Sequence, residues 1–270
     1  MDEQSIDSWD EFVSVARALD GWAFRGQRDA DWKLFSSLAR HLENFVPDKT
    51  SWEERESRAI RIFRRKAHNY ASDLRILDDD LRCLALMQHH GAPTRLLDFT
   101  KSPYVAAFFA LENATGDAAV FALNTPLLWS AAPTNLPELT RDKVDPRENG
   151  NFETYFANNK HELVWTGEPI EMDRRLVAQS GTFVVPGIVG RPVEEILKGY
   201  SSRQPLLRKF ILPAKKIREE CMRSLYRMNI TNATLFPDLD GLAKSIAFEL
   251  ETIWQGLVDD PTDSASHGKA

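Results

Sequence analysis

Asp98, Thr100 and Ser102 alternate along the segment LDFTKSP, between a short apolar run and a strongly apolar one. A carboxylate and two hydroxyls at that spacing sit at the mouth between a buried strand and a buried helix. α/β architectures place ligands there, because the N–H groups of a helix's first turn face outward and favour anions. The simpler reading is that Thr100 and Ser102 only cap the helix and Asp98 only fixes a turn, and local sequence favours it. A second candidate lies upstream, where the apolar run WAFRG, Trp22 to Gly26, delivers Arg25, Gly26 and Gln27 to its C-terminal end. An arginine inside such a run needs a reason. It either forms a structural ion pair, with Asp98 as the candidate partner, or presents a fixed guanidinium to a phosphate or carboxylate through two parallel hydrogen bonds. Gly26 beside it would let a ligand approach the backbone closely.

Other polar clusters point to chemistry less well. Asp78, Asp79 and Asp80 lack neighbouring oxygen ligands at a recognisable spacing, and read as a helix cap. His89 and His90 are adjacent, so on a helix they point about 100° apart and suit packing or hydrogen bonding near the site better than zinc. His161-Glu162-Leu163-Val164-Trp165 lacks the second histidine of a zincin motif. No metal site is expected. The basic run Arg55, Arg58, Arg61, Arg64, Arg65, Lys66 reads as a solvated helix face.

Regular elements must hold these side chains. Gly91 fits a helix C′ position and Pro93 blocks a return to helix, so Leu81 to His90 is a helix and Thr94 to Phe99 a buried strand. Ser102 and Pro103 are N-cap and N1 of a core helix carrying Val105, Phe108 and Phe109. Capping boxes are expected at Ser8 to Glu11 and at Ser51 to Glu54. The second opens a long helix with Ile60, Phe63, Ala67, Tyr70 and Leu74 on its apolar side. Ala118 to Leu123 is a strand, expected beside Arg95 to Phe99. A long surface loop with one short helix follows from Asn124 to Gly150. Gln179-Ser180-Gly181 turns into the strand that ends Thr182-Phe183-Val184-Val185. Leu207 to Leu212 is a strand, Ala214 to Met228 a helix with Ile217, Cys221, Leu225 and Met228 inward, Ala233 to Phe236 a short edge strand, and Asp238 to Trp254 a closing helix.

Composition sets the outer bounds. The 270 residues are 43% hydrophobic and 27% charged, with net charge −6, as in an ordinary globular chain without an overall basic footprint for nucleic acid. The polar, acidic start MDEQSIDSWDEF reads as neither signal nor transit peptide, and no apolar run approaches the roughly 20 residues of a membrane span. Cys83 and Cys221 lack a partner motif and read as buried thiols in a reducing compartment. A cytoplasmic location without membrane association is expected.

Four blocks carry a resemblance: WAFRGQ, QHHGAPTRLLDFTKSPYVAAFFAL, RLVAQSGTF and TLFPDLDGLA. In that order they resemble the FRG-domain family, whose name matches Phe24-Arg25-Gly26, and they cover Trp22 to Ala243. The second block is specific, since TRLLDFT followed by SPYVAAFFA is hard to reach by chance. The resemblance implies a single domain over residues 1–256, with 22–243 as its family-like core and 257–270 as a disordered tail. More distantly, the chain is similar to ADP-ribosyltransferases of the arginine–serine–glutamate class. Arg25 matches the arginine that ends their first strand, Thr100 and Ser102 match their Ser-Thr-Ser-like segment, and Gln179 falls where their catalytic glutamate stands. Glu168 and Glu171 are nearby but fit the spacing to Gly181-Thr182-Phe183 less well.

That similarity implies an α+β fold with a mixed, split β-sheet core of ADP-ribosyltransferase type and flanking helices. It implies NAD as substrate, with catalytic roles at Arg25, Gln179 and Thr100. Binding roles fall to Arg25, Gly26, Gln27, Asp98, Thr100 and Ser102, with Arg95 and Asp98 bracing from behind. A nucleic acid or protein would be the acceptor. A role as a bacterial toxin or antiphage effector, with an antitoxin or regulatory protein as partner, is compatible with such a chain. Gln179 departs from the pattern, because glutamine can bond a ribose hydroxyl but cannot serve as a general base. The alternative is therefore a non-catalytic module that binds a nucleotide or nucleic acid. A nuclease is a weaker third reading, for want of clustered metal-binding carboxylates.

Overall fold

Short apolar runs broken by glycine and proline become the strands of one seven-stranded sheet. The computed structural model describes residues 1–70 and 74–253. The expected tail, 257–270, and Trp254 lie outside the described residues, as does the side chain of Leu74. The strands are β1 (Asp2–Ser5), β2 (Ala23–Gln27), β3 (Leu97–Thr100), β4 (Asp117–Leu123), β5 (Val164–Gly167), β6 (Gly181–Pro186) and β7 (Leu207–Pro213). The α-helices are α1 (Trp9–Arg17), α2 (Ser37–Phe45), α3 (Trp52–Ala67), α4 (Asp80–His89), α5 (Pro103–Leu111) and α6 (Thr125–Trp129). They continue with α7 (Arg174–Ala178), α8 (Val193–Ile196), α9 (Ala214–Arg227), α10 (Asn232–Leu235) and α11 (Leu239–Phe248). The sheet order is β1-β7-β4-β2-β3-β6-β5, antiparallel throughout except for the parallel β1–β7 pair. The fold is thus α+β, with a mixed sheet and flanking helices.

β4 is not the neighbour of β3. It runs between β2 and β7, with Ala23–Gln27 in register against Leu123–Ala119. Every residue of β4 after Asp117 is buried, which suits a strand covered on both faces at the sheet's centre. The edge strand β1, fully exposed DEQS, has no apolar alternation, so only its backbone pairing with β7 marks it. Residues 233–236 are not a strand. Thr231 and Thr234 cap each other reciprocally and close a helical turn, α10.

Several end signals also resolve differently. Ser8 accepts from the Glu11 N–H, but the Glu11 carboxylate accepts from Asp7 N–H rather than closing the box on Ser8. Ser51 makes no side-chain cap, because Asp48 has already capped the 3-10 turn that leads into α3. Tyr70 and Met228 are exposed rather than inward. α11 stops at Phe248 and passes into a π turn over Glu249–Ile253. Cys83 and Cys221 are buried free thiols.

Two contacts fix the region around Arg25 and Asp98. α5 lies so close to β2 that a Cβ on Gly26 would fall 2.0 Å from the Ala106 carbonyl oxygen and 2.6 Å from Ala110 N. The second is a buried ion pair. Arg95, fully buried, donates from Nε to Glu56 Oε1 at 2.8 Å, from Nη2 to Glu56 Oε2, and from Nη1 to the Pro186 carbonyl at 3.0 Å. Its guanidinium lies over the Phe152 ring at 5.6 Å. Glu56 occupies the same α3 stripe as Ile60 and Ala67, and all three are buried. Arg95 therefore ties the entry of β3 to α3 and to the end of β6.

Removing one member of a buried pair leaves the other charge uncompensated. Glu56→Ala is expected to cost about 3–5 kcal/mol of stability, read from the urea midpoint. Gly26→Ala, which drives a methyl into α5, is expected to lower the yield of folded protein outright.

Candidate functional site

A cleft of about 310 Å³ opens where β2 meets β3. The two strands share a single register pair, Phe24 with Thr100, while their outer neighbours are paired along their lengths. Beyond that pair Arg25 replaces the ladder, its Nη1 donating to the Asp98 backbone carbonyl at 2.6 Å. Phe24, Phe99, Phe109, Leu176 and Phe183 form the apolar walls. Arg25, Gln88, Asp98, Thr100, Arg175 and Gln179 supply polar groups, joined by His89 and Asp173.

The ion pair weighed for Arg25 and Asp98 is not formed among the described residues; Arg25 bonds the Asp98 backbone. The Asp98 carboxylate accepts instead from Gln88 Nε2 at 2.6 Å. Gln88 Oε1 in turn accepts from the buried Thr94 hydroxyl, whose oxygen accepts from Leu96 N–H at 3.2 Å. Thr94 is anchored to α2 by reciprocal bonds: Ser37 Oγ donates to its carbonyl and accepts from its N–H. α4 and α2 therefore set the position of Asp98 through Gln88 and Thr94.

Arg25 is left with unspent capacity. Its buried Nε has no hydrogen-bond partner among the described residues. Burial lowers the proton affinity of this guanidinium from its ordinary value, the Asp98 carboxylate works the other way, and Arg40 adds to the lowering. A guanidinium stays charged at neutral pH, so Arg25 brings a positive charge to the lining of the cleft.

Thr100 and Gln179 form one unit. Thr100 Oγ1 donates to the Gln179 carbonyl at 2.7 Å and accepts from Ser102 N–H at 3.0 Å. Gln179 is the C-cap of α7 and its side-chain Nε2 donates to the Leu235 carbonyl at 3.1 Å. Ser180 then takes φ +47° and returns the chain into β6 beside β3. α7 supplies further cleft residues. Asp173 caps its N-terminus through Oδ1 and places Oδ2 3.2 Å from His89 Nδ1. The Arg175 guanidinium stacks 4.4 Å from the centroid of Phe236, itself edge-on to Phe109.

Of the candidates read from sequence, Arg25, Gly26, Asp98, Thr100 and Gln179 line this cleft. The space a side chain at Gly26 would take is filled by α5, so close helix packing explains the glycine there. Ser102, Gln27 and Arg95 are not on the cleft's lining. Ser102 caps α5 by accepting from Val105 N–H, as the simpler reading had it. Gln27 is buried with its Oε1 unpartnered, and Arg95 is engaged with Glu56. Glu168 pairs with Lys101 and Glu171 with Arg82, and neither lines the cleft. The loop expected from Asn124 to Gly150 lines none of it, its Leu139 and Val144 packing into the cluster around Trp165. Gln88, Asp173, Arg175 and the aromatic walls were not singled out beforehand. The cap signal in Asp173-Arg174-Arg175-Leu176 could have found the first turn of α7. Among the described residues no group of His, Cys, Asp and Glu is arranged to hold a metal ion.

Among family models, that of the FRG domain matches residues 20–118. This span holds the first two of the four blocks, and with them Arg25, Asp98 and Thr100 but not α7 or Gln179. No curated protein and no solved structure matches the chain. No helix among the described residues is long and apolar enough to cross a membrane.

Loss of the Gln88 side chain would strand the buried Thr94 hydroxyl. Gln88→Ala is expected to cost about 1–3 kcal/mol, the desolvation penalty of an unsatisfied polar group, read from chemical denaturation.

Proposed function

We propose that the cleft binds NAD and that the chain is an ADP-ribosyltransferase-like enzyme acting on a nucleic acid or protein. The observation that carries this reading is Arg25, a cationic side chain held by one backbone carbonyl with a buried Nε left over, at the edge of an aromatic-walled cleft. Guanidinium donors match phosphate oxygens, and aromatic faces suit a flat heterocycle. The cleft volume lies at the low end of the roughly 300–1,000 Å³ of small-molecule sites, so it would take one end of a dinucleotide and leave the other on the surface.

Cleavage of the bond between nicotinamide and ribose passes through an oxocarbenium-like state, which asks the protein mainly to clamp the ligand and exclude water. In this reading Arg25 holds a phosphate, the phenylalanine walls take the nicotinamide, and Gln179 Oε1, which makes no hydrogen bond to the described residues, accepts from a ribose hydroxyl. Thr100 acts by holding the Gln179 backbone. Asp98 stands beside Arg25 and would keep its guanidinium oriented.

Gln179 itself favours a second reading, a nucleotide-binding module without turnover, because an amide accepts no proton near neutral pH. Release of nicotinamide from NAD by the purified chain decides between the two.

Arg25→Ala is expected to weaken NAD by about 100-fold, from the roughly 1.5–3 kcal/mol of a charged hydrogen bond, with circular dichroism unchanged. Titration calorimetry reads the affinity, and a folded Arg25→Ala chain with wild-type affinity overturns the phosphate role. Gln179→Ala is expected to lower turnover more than affinity; wild-type turnover in that variant removes Gln179 from the site.

A further inference from the structure

We infer that His89, oriented by Asp173, is the proton acceptor of this cleft and supplies the general base that Gln179 cannot. The inference rests on the NAD reading above and adds to it a catalytic residue and a positioning residue.

The geometry is specific. His89 closes α4 and lines the cleft, with Nδ1 3.2 Å from Asp173 Oδ2. The other oxygen of Asp173 is held by Leu176 N–H at 2.8 Å, so the carboxylate cannot rotate freely. A carboxylate on Nδ1 selects the tautomer protonated there and leaves the lone pair on Nε2. His90 packs edge-on against the ring, centroids 4.9 Å apart. α7 carries Asp173 at its N-cap and Gln179 at its C-cap, so one short helix positions both the partner of the imidazole and the amide offered to the ribose.

The step balances without another reagent. The acceptor's hydroxyl oxygen bonds to the ribose C1′ as its proton passes to His89 Nε2. The bond from C1′ to the nicotinamide ring nitrogen breaks with its electron pair on nitrogen, and nicotinamide leaves neutral. Water in place of the acceptor gives hydrolysis by the same route. Asp173 stabilises the imidazolium that forms and does not itself take the proton.

The test uses the full chain with NAD alone, reading nicotinamide release for kcat and KM, and calorimetry for affinity. His89→Ala is expected to lower kcat about 100-fold or more while affinity stays within about threefold, and added imidazole is expected to restore part of the rate. Asp173→Asn keeps a good N-cap for α7, so it is expected to fold; it should lower kcat about 10-fold with KM unchanged. Wild-type kcat in His89→Ala overturns the inference while leaving NAD turnover in place. NAD binding without nicotinamide release by the unmodified chain also overturns it. Absence of NAD binding to the unmodified chain overturns the underlying reading, a result distinct from either.

Discussion

One guanidinium stands where a β-ladder would otherwise continue. Arg25 takes the Asp98 carbonyl that the backbone of β2 would have bonded, and the two strands meet at a single register pair. A strand carbonyl that has lost its ladder partner needs another donor, from the protein or from water. Because a side chain supplies it, the strands can part without an unsatisfied group, and the cleft opens at that point. The same bond commits Nη1, so the group that allows the gap is also its charged feature.

The gap would not hold its shape without rigid flanks. On one side Gly26 brings α5 into backbone contact with β2. On the other, Arg95 and Glu56 bind the entry of β3 to α3 within the core, with Pro186 of β6 as a third partner. A buried pair of this kind contributes little net stability against an apolar replacement, but it fixes register, since any shift would strand a charge. Between the flanks, the chain Ser37–Thr94–Gln88–Asp98 carries position from α2 and α4 to the cleft through hydrogen bonds alone.

Sequence made the near neighbours legible and the distant ones not. Gly91, Pro93, Ser102 and Pro103 act within a few residues, so the frame around Asp98 and Thr100 could be read locally. Arg25 stands out as a charge inside a short apolar run, whereas only a resemblance points to Gln179. What escaped depends on long-range partners. The insertion of β2 between β3 and β4 follows from which strands bury both faces, a tertiary property. Glu56 was visible as a carboxylate on an otherwise apolar helix stripe, a signal that a buried cation must stand opposite; it was hidden by the basic run around it. Asp173 was missed: it caps α7 through one oxygen, and its second oxygen reaches His89, eighty-odd residues away in the chain.

Gln179 is constrained by its surroundings as much as by any reaction. Its Nε2 donates to the Leu235 carbonyl, and a glutamate there would set two oxygens against each other without a donor. The position therefore selects an amide so long as α10 stays packed on α7. A carboxylate at residue 179 would forfeit the bond that ties α7 to α10. In the proposed reading the base comes from another wall of the cleft, where the imidazole of His89 stands beside a carboxylate that α7 also holds. The departure of Gln179 from a glutamate pattern and the pairing of His89 with Asp173 then become two aspects of one arrangement, both imposed by where the five residues of α7 begin and end.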